Sequence, residues 1–199
     1  FLNTTRRLNN KICDFISSSF YDSRLTSDPI TETRSVNLKL DPIKDEGLFY
    51  VPIEHSGCSQ RSDEEADLVE KTYNKIINKE FKVGENIGKI SAKDIMVVAP
   101  YNAQANNIRE RLKKKFKEEV RVGTIDLFQG QEAKVVLISM TTSDVESLPR
   151  HKDFFFSRNR LNVAISRAEC VAIIIFNENL LLASASSIKE MKLMNSFCK

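Results

Sequence analysis

The amino-acid sequence predicts a three-layer α/β domain around a central, mainly parallel sheet, and three observations carry that reading. Ile95–Ala99, Val135–Met140 and Val171–Phe176 are continuous apolar runs of strand length, as expected of strands covered on both faces. Between them, Ala105, Ile108, Leu112 and Phe116 form one apolar stripe on a helix over about 103–117, and a second helix is expected over about 160–168. The 199 residues, 41% apolar and 29% charged, suffice for one domain with a single core and exclude a disordered or fibrous chain. With a further strand at about 120–125, the order is β-α-β-β-α-β, which right-handed crossovers fold into three layers.

The N-terminal half is read in the same way. Leu8, Ile12, Phe15, Ile16 and Phe20 recur at helical spacing, and the polar stretch 23–35 then reads as a loop. Val36, Leu38 and Leu40 alternate as in a strand. Leu48–Ile53 is a second strand after a turn at Asp45-Glu46-Gly47, and Pro52 favours an edge position or a strand end. Ser62 and Glu65 fit a capping box, opening a helix whose stripe is Ala66, Val69, Tyr73, Ile76 and Ile77 and which is expected to reach about Phe81.

Composition restricts the function classes. A formal charge of +3 is too small to mark a nucleic-acid binder in bulk, so any basic surface is local. No apolar run approaches the ~20 residues needed to cross a bilayer, and the start lacks the apolar stretch of a secretory signal, so a cytoplasmic protein with no membrane partner is expected. The chain begins with Phe1, and residues 1–199 are expected to be one domain cut from a larger protein. Cys13, Cys58, Cys170 and Cys198 are scattered without a Cys-x-x-Cys pair, and His55 and His151 are the only histidines; reduced thiols and no metal site are expected.

In open α/β sheets, ligands sit beyond the carboxyl ends of the strands. After the first central strand, Pro100-Tyr101-Asn102-Ala103-Gln104 offers a stacking face and hydrogen-bonding groups before a helix, suited to a base and phosphate edge; a strand exit with Asn102 capping the helix accounts for it equally well. In Thr124-Ile125-Asp126-Leu127-Phe128-Gln129-Gly130-Gln131-Glu132, the glycine permits close approach to a phosphate and the flanking amide and carboxylate can bond ribose. The same residues also fit a polar turn anchored by Phe128. Arg160 and Arg167 share one face of their helix and suit phosphate oxygens, or else lie over apolar neighbours at the surface. Arg6-Arg7 alone reads as solvated. The basic run Arg109, Arg111, Lys113, Lys114, Lys115 and Lys117 reads as a solvated helix face ahead of a phosphate track.

Together and in this order, these segments resemble the C-terminal RecA-like domain of superfamily 1 helicases, a P-loop NTPase-like fold, in the branch of the nonsense-mediated-decay helicase and the replication nuclease-helicases. Val98-Ala99-Pro100-Tyr101-Asn102-Ala103-Gln104, Val122 to Glu132 and Arg160-Leu161-Asn162-Val163-Ala164-Ile165-Ser166-Arg167-Ala168 are similar to three of its motifs. The turn 139–144 and the insertion 145–158 look most like a bacterial group fused to a RecB-like nuclease, which makes a nuclease domain an implied partner.

The resemblance implies an ATP-dependent DNA or RNA helicase or translocase, DNA favoured, in which this domain and an N-terminal RecA-like domain bind ATP and Mg²⁺ between them and grip a single-stranded or partly duplex nucleic acid. It implies that Arg7 and Arg167 are arginine fingers, that Arg6, Gln129, Gly130 and Glu132 adjoin the nucleotide, and that Pro100, Tyr101, Asn102, Thr124 and Asp126 approach the nucleic acid. Arg6 stands where the family has an aromatic, although a guanidinium also stacks. Thr141-Thr142-Ser143 replaces the family's Val-Arg-Ser, removing a cation.

A phosphate-cradling loop needs Gly-x-x-x-x-Gly-Lys-Ser/Thr, and the nearest stretch, Gly84 to Ile90, is one residue short with no hydroxyl. No Asp-Glu pair follows an apolar strand. The chain alone is therefore expected to be inactive, with ATP and Mg²⁺ held mainly by the companion domain. The rival expectation is a nucleic-acid-binding or regulatory module that kept the fold without catalysis; the presence of both Arg7 and Arg167 argues against it.

Overall fold

The computed structural model describes residues 3–117, 119–144 and 158–182. In chain order the elements are β1 (Thr4–Thr5), α1 (Asn10–Phe20), β2 (Thr26–Ser27), β3 (Ser35–Asn37), β4 (Gly47–Pro52), α2 (Asp63–Ile76), β5 (Glu80–Val83), β6 (Asn86–Lys89), β7 (Ile95–Val98), α3 (Asn102–Phe116), β8 (Arg121–Gly123), β9 (Ala133–Ser139), α4 (Arg158–Ile165) and β10 (Ala168–Phe176). Five strands form the central sheet in the order β4-β10-β9-β7-β8, each neighbouring pair parallel. β4 is an edge strand and Pro52 ends it, where a missing N–H costs least. This is the RecA-like α/β architecture expected from the motifs.

The apolar runs divide by period two. Met96, Val98, Val136, Ile138, Ala172 and Ile174 face one side, where they pack with Ile12 and Ile16 of α1, with Leu161 and Ile165 of α4, and with Ile125 and Phe128. Ile95, Val97, Val135, Leu137, Val171, Ile173 and Ile175 face the other, against Val69, Tyr73 and Ile76 of α2 and Ile108 and Leu112 of α3. Covering both faces makes the central strands continuous rather than alternating apolar runs.

Several boundaries differ from those the sequence predicts. The Ser62 capping box is half made: Ser62 Oγ accepts from Glu65 N at 3.1 Å, but the Glu65 side chain turns inward to accept from Ser139 Oγ at 2.6 Å and Thr141 N at 2.8 Å. α2 stops at Ile76, not near Phe81, because Asn78 takes a left-handed φ of 65° and the chain after it finds its hydrogen bonds in a β-hairpin. Phe81 lies in β5, and β3, β5 and β6 form a separate antiparallel sheet. Gly84 to Lys89 is the turn and second strand of that hairpin, a geometry that cannot open a helix around a phosphate. The basic run on α3 is partly committed to packing: Arg111 bonds Asp63 at 2.9 Å and also Asp67, and Lys115 bonds Glu70 at 2.8 Å, tying α3 to α2. Among the described residues no helix is long and apolar enough to cross a membrane. Of the insertion 145–158 that suggested the nuclease-fused group, residues 145–157 lie outside the described residues.

Candidate functional site

The parallel register separates the motifs between two rims of the sheet. Ala168 pairs with Ala133, so Arg167 and Glu132 stand side by side just before the amino ends of β10 and β9, where Ala133 N donates to Arg167 O at 3.0 Å. Arg7 reaches the same rim through Asn9. The Asn9 backbone N donates to Glu169 O, its Nδ2 to Cys170 O at 2.7 Å, and its Oδ1 caps α1 by accepting from Ile12 N at 3.0 Å. Arg34 adds a bond from its guanidinium to Arg7 O at 2.6 Å. A residue at position 7 is thereby fixed against residues 159 and more positions later.

The Arg7 Nε donates to Glu132 Oε2 at 2.6 Å and its NH1 to Ser166 O at 3.3 Å. Its side chain is 31% exposed and that of Glu132 50%, so the pair opens to solvent rather than closing inside the core. Arg167 donates through NH1 to Gln131 O at 3.3 Å, while its buried Nε has no hydrogen-bond partner among the described residues. Burial pushes the Arg167 guanidinium below its ordinary value and the nearby positive charge of Arg7 adds to this, with Glu132 opposing both. Two cations thus crowd one carboxylate, an arrangement that an anion relieves.

Two hollows flank this rim. One of about 600 Å³ is lined by Arg6, Arg7, Glu132, Asn162 and Ser166 among others; Arg6 is paired there with Asp28 at 3.0 Å but its side chain is 84% exposed. The other, about 250 Å³, is lined by Ile125, Asp126, Gln129, Arg160, Val163 and Arg167. α4 ends at Ile165, two residues before Arg167, so the shared helix face expected of Arg160 and Arg167 is replaced by a shared groove. Gly130 has φ 78°, a conformation that favours glycine, and nothing lies within 4 Å of an added Cβ. Its role in this structure is to make the turn that delivers Gln131 and Glu132 to the rim. Arg121, which belongs to none of the motifs, holds that turn by donating to Glu132 O at 3.1 Å and Gln131 Oε1 at 3.0 Å.

The carboxyl rim carries a different set. Pro100 and Tyr101 follow β7, and Thr124 follows β8. Burial raises the Tyr101 phenol above its ordinary value, and its contact with Thr142 opposes the shift. Asn102 does not cap α3: it is the first helical residue, exposed, and the capping position is Tyr101 without a side-chain bond. Gln104 is fully buried, accepting from Ser62 N and donating to Ser62 O and Ser139 Oγ at 3.0–3.1 Å, so it joins α2, α3 and β9 and is unavailable to a ligand. Asp126 separates from its predicted group: it lies in the groove with Arg167, its Oδ2 3.9 Å from the Arg160 guanidinium. Residues 124–132 therefore run from the carboxyl rim to the amino rim across the α1 and α4 face, linking the two sets within nine residues.

The expectation of no metal site meets one cluster. His55, Cys58 and Glu64 bring one potential ligand atom each within 4.8 Å of one another, near the carboxyl rim. The signal was a His-x-x-Cys pair followed by a helix-opening carboxylate, concealed by the absence of a second cysteine.

A five-stranded parallel sheet with helices on both faces defines a RecA-like α/β domain. The chain belongs to the AAA_12 family, an AAA domain whose model matches residues 1–179, and is a helicase domain of the superfamily 1 branch that its motifs resemble. It is 32% identical over 192 residues to the DNA polymerase alpha-associated DNA helicase A of Schizosaccharomyces pombe, covering 90% of this chain and 28% of that protein. It is 33% identical over 189 residues to the uncharacterized ATP-dependent helicase MJ0104 of Methanocaldococcus jannaschii, covering 88% and 26%. The chain thus spans little more than a quarter of these relatives. Among solved structures, the C-terminal domain of a possible DNA helicase from Lactobacillus plantarum matches 92% of this chain and 96% of its own length at 12% identity and a TM-score of 0.45.

Proposed function

We propose that this chain is the second motor domain of an ATP-dependent helicase or translocase, supplying Arg7 and Arg167 to the γ-phosphate of a nucleotide held by a companion RecA-like domain. The observation that carries this reading is the amino rim: Arg7 is paired with Glu132, the Arg167 guanidinium stands within the influence of both charges, and its buried Nε lacks a partner among the described residues. A transferring phosphoryl group is the anion that fits, because its oxygens accept planar, charge-assisted bonds from arginine. Charge spread over those oxygens in the transition state is stabilised by positioned guanidiniums, typically by about 10³ to 10⁵ in rate.

The rim fits the phosphates and not Mg²⁺. The carboxylate at this rim, Glu132, is already held by Arg7 at 2.6 Å, so the metal falls to the companion domain. Arg6, Gln129 and Gly130 border the nucleotide in this reading, with Arg6 free to stack because most of its side chain is exposed. Pro100, Tyr101, Asn102 and Thr124 contact the nucleic-acid backbone on the opposite rim. Asp126, being anionic and beside Arg160, orients that arginine instead of meeting phosphate. The segment 124–132 connects the two rims and transmits nucleotide state to the strand.

The relatives' names include a DNA helicase and, at 35% identity over 97 residues, an RNA helicase of mouse; DNA is favoured as the substrate here. The test is nucleic-acid-stimulated ATP hydrolysis by the full-length parent protein. Arg167→Ala is expected to lower kcat by about 10³ with KM for ATP mostly retained. Unchanged turnover refutes the assignment, as does ATP hydrolysis by the 199-residue chain alone.

A further inference from the structure

The loop between β4 and α2, together with the first turn of α2, holds three metal-ligating side chains that no motor role uses. His55, Cys58 and Glu64 place one ligand atom each within 4.8 Å of one another, from three different kinds of donor: imidazole nitrogen, sulfur and carboxylate oxygen. His55 is the informative member. Its side chain is 0% exposed, and its Nε2 lies 3.1 Å from Oε1 of the equally buried Glu65. With Nε2 carrying the proton toward Glu65, Nδ1 presents a lone pair, and that buried Nδ1 has no hydrogen-bond partner among the described residues.

A buried imidazole with one nitrogen tied to a carboxylate and the other unsatisfied is the geometry of a metal-bound histidine, in which the carboxylate fixes the tautomer and raises the basicity of the ligating nitrogen. Glu65 is in turn held by Ser139 Oγ and Thr141 N, so the carboxylate cannot swing away.

We propose that His55 Nδ1, Cys58 Sγ and a Glu64 carboxylate oxygen form a site for a zinc-class divalent cation, with water in the fourth position. Mixed N, S and O donors suit a borderline-soft cation and disfavour Mg²⁺ or Ca²⁺, which prefer all-oxygen shells. Around a tetrahedral Zn²⁺ the donor atoms stand about 3.3–3.6 Å apart, so the cluster contracts by roughly 1 Å on binding. Cys58 sits on a loop and Glu64 is exposed on the first turn of α2, and both can supply that movement by rotation of the side chain. On binding, the Cys58 thiol loses its proton to solvent and no electron is transferred.

The site clamps the loop onto the carboxyl rim. Ser143 N donates to Cys58 O at 2.9 Å, Cys58 N donates to Ser143 Oγ at 3.1 Å, and Thr142 Oγ1 donates to Ser59 O at 2.6 Å. A cation at Cys58 therefore stiffens the turn 141–143, where the family's arginine is replaced by threonine.

The experiment titrates the 199-residue chain with Co²⁺ under reducing conditions and follows the thiolate-to-cobalt absorption band, then displaces the metal with Zn²⁺. A band saturating at one equivalent and lost on Zn²⁺ addition is expected. Cys58→Ser should abolish it, His55→Gln and Glu64→Gln should weaken Co²⁺ binding by about tenfold or more, and Cys13→Ser should leave it unchanged. Glu64 is exposed, so its variant keeps the test decisive if His55→Gln does not fold. Absence of a band at one equivalent, a band that survives Cys58→Ser, or unchanged affinity in Glu64→Gln overturns the proposal.

Discussion

Replacing Asn9 by alanine tests how a residue at the start of the chain is brought to a rim formed more than 120 residues later. Asn9 is 0% exposed and does two jobs with one amide. Its oxygen caps α1 at Ile12 N, and its nitrogen satisfies the Cys170 carbonyl at 2.7 Å. Losing the cap costs about 1 kcal/mol, and leaving a buried carbonyl unpaired costs about 1–3 kcal/mol, so Asn9→Ala should lower stability by about 2–4 kcal/mol. Urea denaturation of the chain followed by circular dichroism measures this as a fall in midpoint at constant slope. Asn9→Asp separates the two contributions: it retains the capping acceptor but points a carboxylate at a carbonyl, and should be no more stable than Asn9→Ala. A loss below about 0.5 kcal/mol in Asn9→Ala, or a fully stable Asn9→Asp, would refute this account of how Arg7 is anchored.

Gly130→Ala should cost roughly 1–2 kcal/mol through backbone strain alone, since φ is 78° and the added methyl meets no atom within 4 Å; a thermal melt superimposable on wild type contradicts this. Asp94 gives a pH prediction. Burial would raise its carboxyl, but Lys134 Nζ at 2.6 Å and the Ser91 hydroxyl and N–H outweigh it and hold the group below its ordinary value. A depressed carboxylate contributes stability above its unfolded pKa and loses that contribution as pH falls through the folded one. The stability gap between wild type and Asp94→Asn should therefore be widest near neutral pH and shrink in acid, read from denaturation midpoints across that range; a constant gap contradicts the assignment.

Much of the architecture was legible in the sequence because the central strands are buried on both faces, and an uninterrupted apolar run such as Val171 to Phe176, too short for a buried helix, fits a covered strand. The elements misread were those decided by single tertiary contacts. Phe81 continues the apolar rhythm of α2, yet the left-handed Asn78 and pairing with Val36 place it in a sheet. Glu65 matches a capping box by spacing, but the buried Ser139 hydroxyl and Thr141 amide draw its carboxylate inward. Gln104 reads as a ligand-facing amide because the residues that bury it, Ser62 and Ser139, are distant in the chain. The pairing of Arg7 with Glu132 was beyond reach for the same reason: nothing local to residue 7 encodes a partner at residue 132.

The central claim is that Arg7 and Arg167 act on one nucleotide, and a double-mutant cycle on the full-length protein tests it most directly. Nucleic-acid-stimulated kcat is measured for wild type, Arg7→Ala, Arg167→Ala and the double variant. Groups that stabilise the same transition state are strongly non-additive, so the double variant should be little slower than the slower single variant. Losses that multiply in full would show two guanidiniums working independently, and would contradict a shared site at the amino rim.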